Sequence, residues 1–137
     1  VGDEAVVTWN ADKTNNFKRA VDFYYEYEKD LNKCKNYFEK KYGLMPRFTA
    51  SINSGKVMAA EVGEIKQELA FHGDVLNTAA RIQKQCKRYR KNILVTRDFA
   101  SQLIKEKTKY KLKYVDIVKF VGKDRVVKIY EVFKEEQ

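Results

Sequence analysis

Apolar residues recur at helical spacing in one part of this chain and in short runs elsewhere, and this alternation restricts its fold. Between residues 16 and 42 the apolar positions follow steps of three and four, the period of an amphipathic helix. They are Phe17, Ala20, Val21, Tyr24, Tyr27, Leu31, Cys34, Phe38 and Tyr42. We therefore predict one long helix that begins at a cap at Thr14 or Asn15, ends at Gly43 and buries Cys34 in its apolar face.

Short β-branched and apolar runs, separated by turns, predict strands in the rest of the chain. We place strands at residues 6–9, 47–53, 56–61, 66–71, 92–96, 111–121 and 126–133, and further helices at 75–89 and 98–107. Thr96 or Asp98 caps the last helix, and the last two strands form a hairpin. Because the order is mixed and several neighbours are antiparallel, we predict an α+β fold with helices packed on a mainly antiparallel sheet.

The composition is that of a folded domain. The chain has 137 residues, of which 44% are hydrophobic, and this argues against disorder. No apolar run approaches the length of a membrane span, and the first residues show no signal-peptide pattern. Cys34 and Cys86 have neither a metal-ligand spacing nor a disulfide framework, so we expect a reducing, cytoplasmic setting. His72 has no acidic or cysteine neighbour at ligand spacing and is interpreted as structural.

The net charge of +9 is concentrated in one segment. Eleven basic residues lie between Lys84 and Lys113, where only Asp98 and Glu106 oppose them, so this segment accounts for the whole excess. Such a segment suits a nucleic acid, an anionic membrane or another domain, and an ordinary solvated face has the same composition.

Three short segments hold residues that suit a binding site. Asp3 lies in a turn before an apolar run, where a carboxylate can bind a hard cation, although an ordinary polar turn looks the same. Asn77 and Arg81 are four residues apart on a predicted helix, so they share a face and offer directed donors for a ribose oxygen and a phosphate; a solvated polar pair is the alternative. The glycine turn within residues 51–57 can let backbone approach a phosphate, but many hairpins contain such a turn.

Together these segments resemble the class III adenylate/guanylate cyclase catalytic domain over nearly the whole chain. The helix block is the specific part of the resemblance, because glycine, asparagine and an arginine four residues later, with alanines between them, are rarely combined by chance. The matching segments are Val-Gly-Asp-Glu at 1–4, Ser-Ile-Asn-Ser-Gly-Lys-Val at 51–57, Val-Gly-Glu-Ile-Lys-Gln-Glu-Leu at 62–69, His-Gly-Asp-Val-Leu-Asn-Thr-Ala-Ala-Arg-Ile at 72–82 and the closing hairpin.

The resemblance implies a ferredoxin-like, palm-type fold and a dimer whose active sites lie at the subunit interface. In such enzymes two aspartates of one subunit bind two Mg²⁺ or Mn²⁺ ions, the ribose 3′-hydroxyl attacks the α-phosphorus, and pyrophosphate leaves. Asp3 matches the second metal aspartate. Asn77 matches the residue of the other subunit that orients the ribose, and Arg81 matches the arginine that stabilises charge at the α-phosphate. The strand at 66–71 and the strand before it resemble the arm that helps to build the dimer.

The chain also departs from the family pattern. The first metal aspartate of the family lies on an earlier strand, so we expect a cyclase fold that lacks its first strand. A position that reads the purine falls on Ala70, whose side chain neither donates nor accepts hydrogen bonds. Lys119 and Lys123 flank the position of the triphosphate lysine, Arg47 lies two residues from that of a phosphate-binding arginine, and Asp74 is a further nucleotide-binding candidate.

We therefore interpret residues 1–137 as a single partial nucleotide cyclase catalytic domain. The expected activity is that of an adenylate cyclase in signal transduction, which converts ATP to cyclic AMP and pyrophosphate as a homodimer, without a nucleic acid partner. The chain alone is expected to be inactive, and any membrane contact is expected through parts outside it. A guanylate cyclase and a silent cyclase-homology module for dimerisation or nucleotide sensing are the alternatives. The helix block argues against a diguanylate cyclase, and only the basic segment supports a nucleic-acid-binding domain.

Overall fold

The computed structural model describes residues 6–11, 13–44, 48–55, 58–62, 68–72, 74–120 and 125–134. The chain forms two compact units, residues 1–45 and residues 46–137. The first unit contains helices α1 (Asn16–Lys33) and α2 (Lys35–Tyr42). The second unit contains, in chain order, β1 (Ala50–Ile52), β2 (Met58–Val62), β3 (Glu68–His72), α3 (Asp74–Tyr89), β4 (Ile93–Thr96), α4 (Arg97–Lys105), β5 (Tyr110–Lys119) and β6 (Val126–Lys134).

The helix predicted for residues 16–42 is divided in two at Cys34, so the prediction of one continuous helix is wrong. The N–H of Cys34 donates to the carbonyl of Leu31 at 3.0 Å, which is the tighter turn of a 3₁₀ helix. Asn32 and Asn36 flank this break, and asparagine favours turns because its side chain competes for backbone hydrogen bonds. Cys34 is exposed at the junction, so its predicted burial is also wrong. Gly43 ends α2 with a φ of 74°, as predicted.

The strand predicted at residues 6–9 is also wrong, because residues 6–10 form neither strand nor helix. Val6 and Val7 are exposed, whereas the ring of Trp9 packs edge-on against Phe23 of α1 at 5.6 Å between centroids. The β-branched run therefore lies beside a helix of its own unit and does not pair in a sheet.

A four-stranded sheet organises the second unit, with the strand order β1-β4-β6-β5. The strand β1 runs parallel to β4, whereas the β4–β6 and β5–β6 pairs are antiparallel. The strands β2 and β3 form a separate antiparallel pair in which Ala60 lies opposite Ala70. The observed architecture is α+β with a mixed, mainly antiparallel sheet, which confirms the predicted fold class.

The core of this unit lies between α3 and the sheet. Ile82 and Cys86 of α3 pack with Leu94 of β4 and Ile129 of β6, and all four are almost fully buried. The four residues of β4 are buried as well, as expected for a strand with neighbours on both edges. Helix α4 follows β4 directly; the hydroxyl of Thr96 accepts a hydrogen bond from the N–H of Phe99, which confirms Thr96 as one of its two predicted caps.

None of the described helices is long and apolar enough to cross a membrane.

Candidate active site

Hydrogen bonds from β1 and the loop after it hold the first two turns of α3. The hydroxyl of Ser51 donates to the carbonyl of Ala79 at 2.5 Å, and the side-chain amide of Asn53 donates to the carbonyl of Val75 at 3.1 Å. These bonds link residues that lie 28 and 22 positions apart in the sequence. The N-terminal half of α3 is therefore fixed against the sheet by side chains as well as by its apolar face.

Asn53 also connects this helix to the start of α4. Its side-chain oxygen accepts hydrogen bonds from the hydroxyl of Thr96 at 2.7 Å and from the N–H of Ser54 at 2.9 Å. Thr96 is itself buried and caps α4. One amide side chain thus joins the loop after β1 to two helices.

Gly55 lies where that loop passes the first turn of α3. A Cβ atom at this position would lie 2.7 Å from the Cγ2 atom of Val75, which is shorter than the distances at which Cβ atoms contact other atoms in proteins. A side chain at this position would therefore force the loop or Val75 to move, so packing against α3 favours glycine here.

Asn77 and Arg81 lie on the exposed side of α3, whereas Thr78 and Ile82 are buried. A separation of four residues on a helix places two side chains on one face, one turn apart. The described structure therefore presents the predicted pair together and open to solvent.

The end of the β5–β6 hairpin lies beside this pair. The guanidinium carbon of Arg81 is 5.1 Å from the centroid of the Phe120 ring, and Phe120 is only 3% exposed. The guanidinium of Arg125 is 5.8 Å from the same centroid and donates to the hydroxyl of Thr78 at 3.0 Å. The sequence prediction missed Arg125 and Phe120, and its only signal was a basic residue after the hairpin turn.

The other predicted site residues lie on β5, β3 and α3 or outside the described residues. Lys119 is the exposed last residue of β5, directly before Phe120, so it lies at the hairpin end that contacts Arg81. Ala70 lies within β3, and Asp74 begins α3. Asp3, Arg47 and Lys123 lie outside the described residues.

The described residues contain no group of three or more metal-ligating side chains that could hold an ion. Asp3, the one predicted metal ligand, lies outside the described residues. The assignment of two Mg²⁺ or Mn²⁺ ions therefore stays a prediction.

A hydrogen bond at the other end of α3 joins this helix to β5. The hydroxyl of Tyr89 donates to the carboxylate of Asp116 at 2.6 Å. This bond lowers the pKa of Asp116 and raises the pKa of Tyr89, because it favours the ionised carboxylate and the protonated phenol. The bond anchors the C-terminal end of α3, and the core residues Ile82 and Cys86 lie between it and the exposed pair.

The family model for the adenylate and guanylate cyclase catalytic domain matches residues 6–133 of this sequence. The chain therefore belongs to this family, whose members form cyclic nucleotides. The match includes α3 with Asn77 and Arg81 and the β5–β6 hairpin with Phe120 and Arg125, but it begins after Asp3.

Two curated relatives are adenylate cyclases. The chain is 29% identical over 103 residues to Adenylate cyclase 2 of Rhizobium meliloti (strain 1021), a match that covers 75% of this chain and 28% of the relative. It is 34% identical over 87 residues to the terminal-differentiation specific adenylate cyclase of Dictyostelium discoideum, covering 63% of this chain and 4% of the relative. The chain thus spans about a quarter of the first relative and a few per cent of the second.

Proposed function

We propose that this chain is part of an adenylate cyclase, which converts ATP to cyclic AMP and pyrophosphate. The observation that carries the proposal is the exposed pair of Asn77 and Arg81, with the Arg81 guanidinium held against a buried aromatic ring. Membership of the cyclase family supports the reaction class, and the names of both relatives support ATP as the substrate.

The reaction is an internal displacement at phosphorus. The ribose 3′-oxygen forms a bond to the α-phosphorus, the bond from the α-phosphorus to the bridging oxygen of pyrophosphate breaks, and the proton of the hydroxyl leaves to solvent or a base. Negative charge shifts onto the oxygens of the α-phosphate and the leaving group during this step.

Arg81 and Asn77 suit two parts of this reaction. A guanidinium that is held in place beside the α-phosphate stabilises the developing charge without first having to reorient. Such preorganised stabilisation is usually the effect that lowers the activation barrier most. The amide of Asn77, one turn earlier, can donate to and accept from a ribose oxygen and thereby align the attacking hydroxyl.

The rest of the proposed site, namely the metal ions and a second subunit, is what the cyclase family leads us to expect. Two divalent cations, with Asp3 as one ligand, would supply charge neutralisation of the triphosphate and a more acidic 3′-hydroxyl. We propose that the Asn77–Arg81 pair serves a nucleotide held mainly by a second subunit of a homodimer.

The side chain at position 70 bears on the preference for ATP or GTP. Ala70 offers only its backbone to a purine, so discrimination between ATP and GTP must come from groups other than this side chain. Lys119 directly precedes Phe120, whose ring contacts Arg81, and the charge of Lys119 suits the triphosphate of either nucleotide.

A cyclase assay on the full-length protein that contains this chain tests the proposal. ATP and GTP are compared with Mg²⁺ and with Mn²⁺, and cyclic nucleotide and pyrophosphate are both quantified. The proposal expects cyclic AMP and pyrophosphate in equal amounts and a higher kcat/KM for ATP. Dominant cyclic GMP formation would reassign the substrate, and no cyclic nucleotide from a folded, nucleotide-binding dimer would identify a silent module.

A further inference from the structure

We propose that Arg125 is a positioning residue for the catalytic turn of α3, which it holds through two contacts, the ring of Phe120 and the hydroxyl of Thr78. The proposal rests on the function proposed above, in which Arg81 stabilises the transition state. It adds a residue at the end of the β5–β6 hairpin whose task is to fix the direction of the Arg81 side chain.

Phe120 provides a shared anchor for two cations. The guanidinium carbons of Arg81 and Arg125 lie 5.1 and 5.8 Å from the centroid of its ring, within the range of a cation–π contact. The ring is almost completely buried, and Arg125 connects it to Thr78 on the helix turn that carries Arg81. Two exposed arginines therefore pack on one buried ring.

Thr78 provides the second link, and it lies between the two residues assigned to chemistry. Its side chain is 2% exposed, and its hydroxyl accepts the hydrogen bond from Arg125 at 3.0 Å. Within the hairpin, the N–H of Phe120 donates to the carbonyl of Arg125 at 3.3 Å and keeps the two residues side by side. Two contacts therefore join the hairpin end to α3, that of Phe120 with Arg81 and that of Arg125 with Thr78.

Arginine suits this position for a geometric reason. Its planar guanidinium can stack on a ring and donate a directed hydrogen bond at the same time, whereas the ammonium of lysine is a point charge on a flexible stem. An exposed arginine without such supports has many rotamers, and only one of them places its charge at the reacting phosphate. Loss of Arg125 should therefore reduce the fraction of Arg81 in the productive orientation.

The kinetic test compares Arg125→Ala and Arg125→Lys in the full-length protein with ATP as the substrate. We expect kcat to fall by about three- to tenfold in both variants, the loss typical of one such contact, with KM changed by less than about twofold. Thr78→Val, which keeps the volume but removes the acceptor, should lower kcat as well, and its effect should not add to that of Arg125→Ala. Full kcat in Arg125→Lys, or a rise in KM as the main effect, would overturn the proposal.

A spectroscopic test does not depend on activity. The Nε–Hε signal of Arg81, assigned by its loss in Arg81→Lys, should shift toward that of a freely rotating arginine in Arg125→Ala. Arg88 is the matched control, because its guanidinium stacks on Tyr89 at 5.4 Å elsewhere on α3. Arg88→Ala should leave the Arg81 signal unchanged.

The two tests separate the two claims. An unchanged Arg81 signal in Arg125→Ala would overturn the positioning role even if the protein is an active cyclase. A shifted signal in a protein that forms no cyclic nucleotide would support the contact and reject the proposed function.

Discussion

Replacement of Asn53 by alanine should weaken the second unit more than its half-exposed position suggests. The substitution removes the hydrogen bonds to Val75 and Thr96 and leaves the buried Thr96 hydroxyl without its acceptor. At roughly 1 kcal/mol for each bond, with a further cost for the group left unpaired, the loss is about 2–4 kcal/mol. For a chain of this size, that corresponds to a fall in Tm of roughly 10 °C.

Thermal and urea unfolding, followed by far-ultraviolet circular dichroism, measure this loss. Ser101→Ala is the control, because Ser101 is an exposed polar residue of α4 in the same unit, and we expect its stability to stay within about 0.5 kcal/mol of the wild type. If Asn53→Ala costs no more than Ser101→Ala, Asn53 does not join α3 and α4, and the account of how α3 is positioned is wrong.

Two further predictions concern the ends of α3. Gly55→Ala should destabilise the fold by about 1–2 kcal/mol, since the new Cβ meets Val75, and Val75→Ala should relieve most of that cost in the double mutant measured by urea unfolding. Tyr89→Phe should be less stable than the wild type at neutral pH. Because the hydrogen bond lowers the pKa of Asp116, its contribution is present above the ordinary carboxylate pKa and is lost as the pH falls through the lowered value. The difference between the two proteins should therefore shrink on acidification below about pH 4, and a difference that is constant with pH would contradict this cause.

The sequence predicted the elements whose signals are local. Helix α3 was predicted within one residue at its start, because its apolar period and its glycine entry are contained in one segment. The hairpin of β5 and β6 was predicted for the same reason. The break at Cys34 could not be predicted from the apolar stripe, which continues across it, and the β-branched run at residues 6–9 did not reveal that Trp9 packs on a helix.

The residues of the candidate site also differ in whether the sequence alone could predict that they lie close together. Asn77 and Arg81 lie four residues apart on one helix, so their proximity was readable from spacing. Arg125 lies 47 residues from Thr78, and Asn53 lies 43 residues from Thr96, so both contacts depend on how strands pair in space. Asp3, Arg47 and Lys123 stay predictions.

The turnover number of Arg81→Ala tests the central claim most directly. Lys84 is the matched control, because it is an exposed cation one turn further along α3. In the full-length protein with ATP, we expect Arg81→Ala to lower kcat by about 100-fold or more with an unchanged far-ultraviolet circular dichroism spectrum, and Lys84→Ala to stay within about twofold of the wild type. Equal turnover in Arg81→Ala and the wild type would contradict the assignment of this arginine to the reacting phosphate.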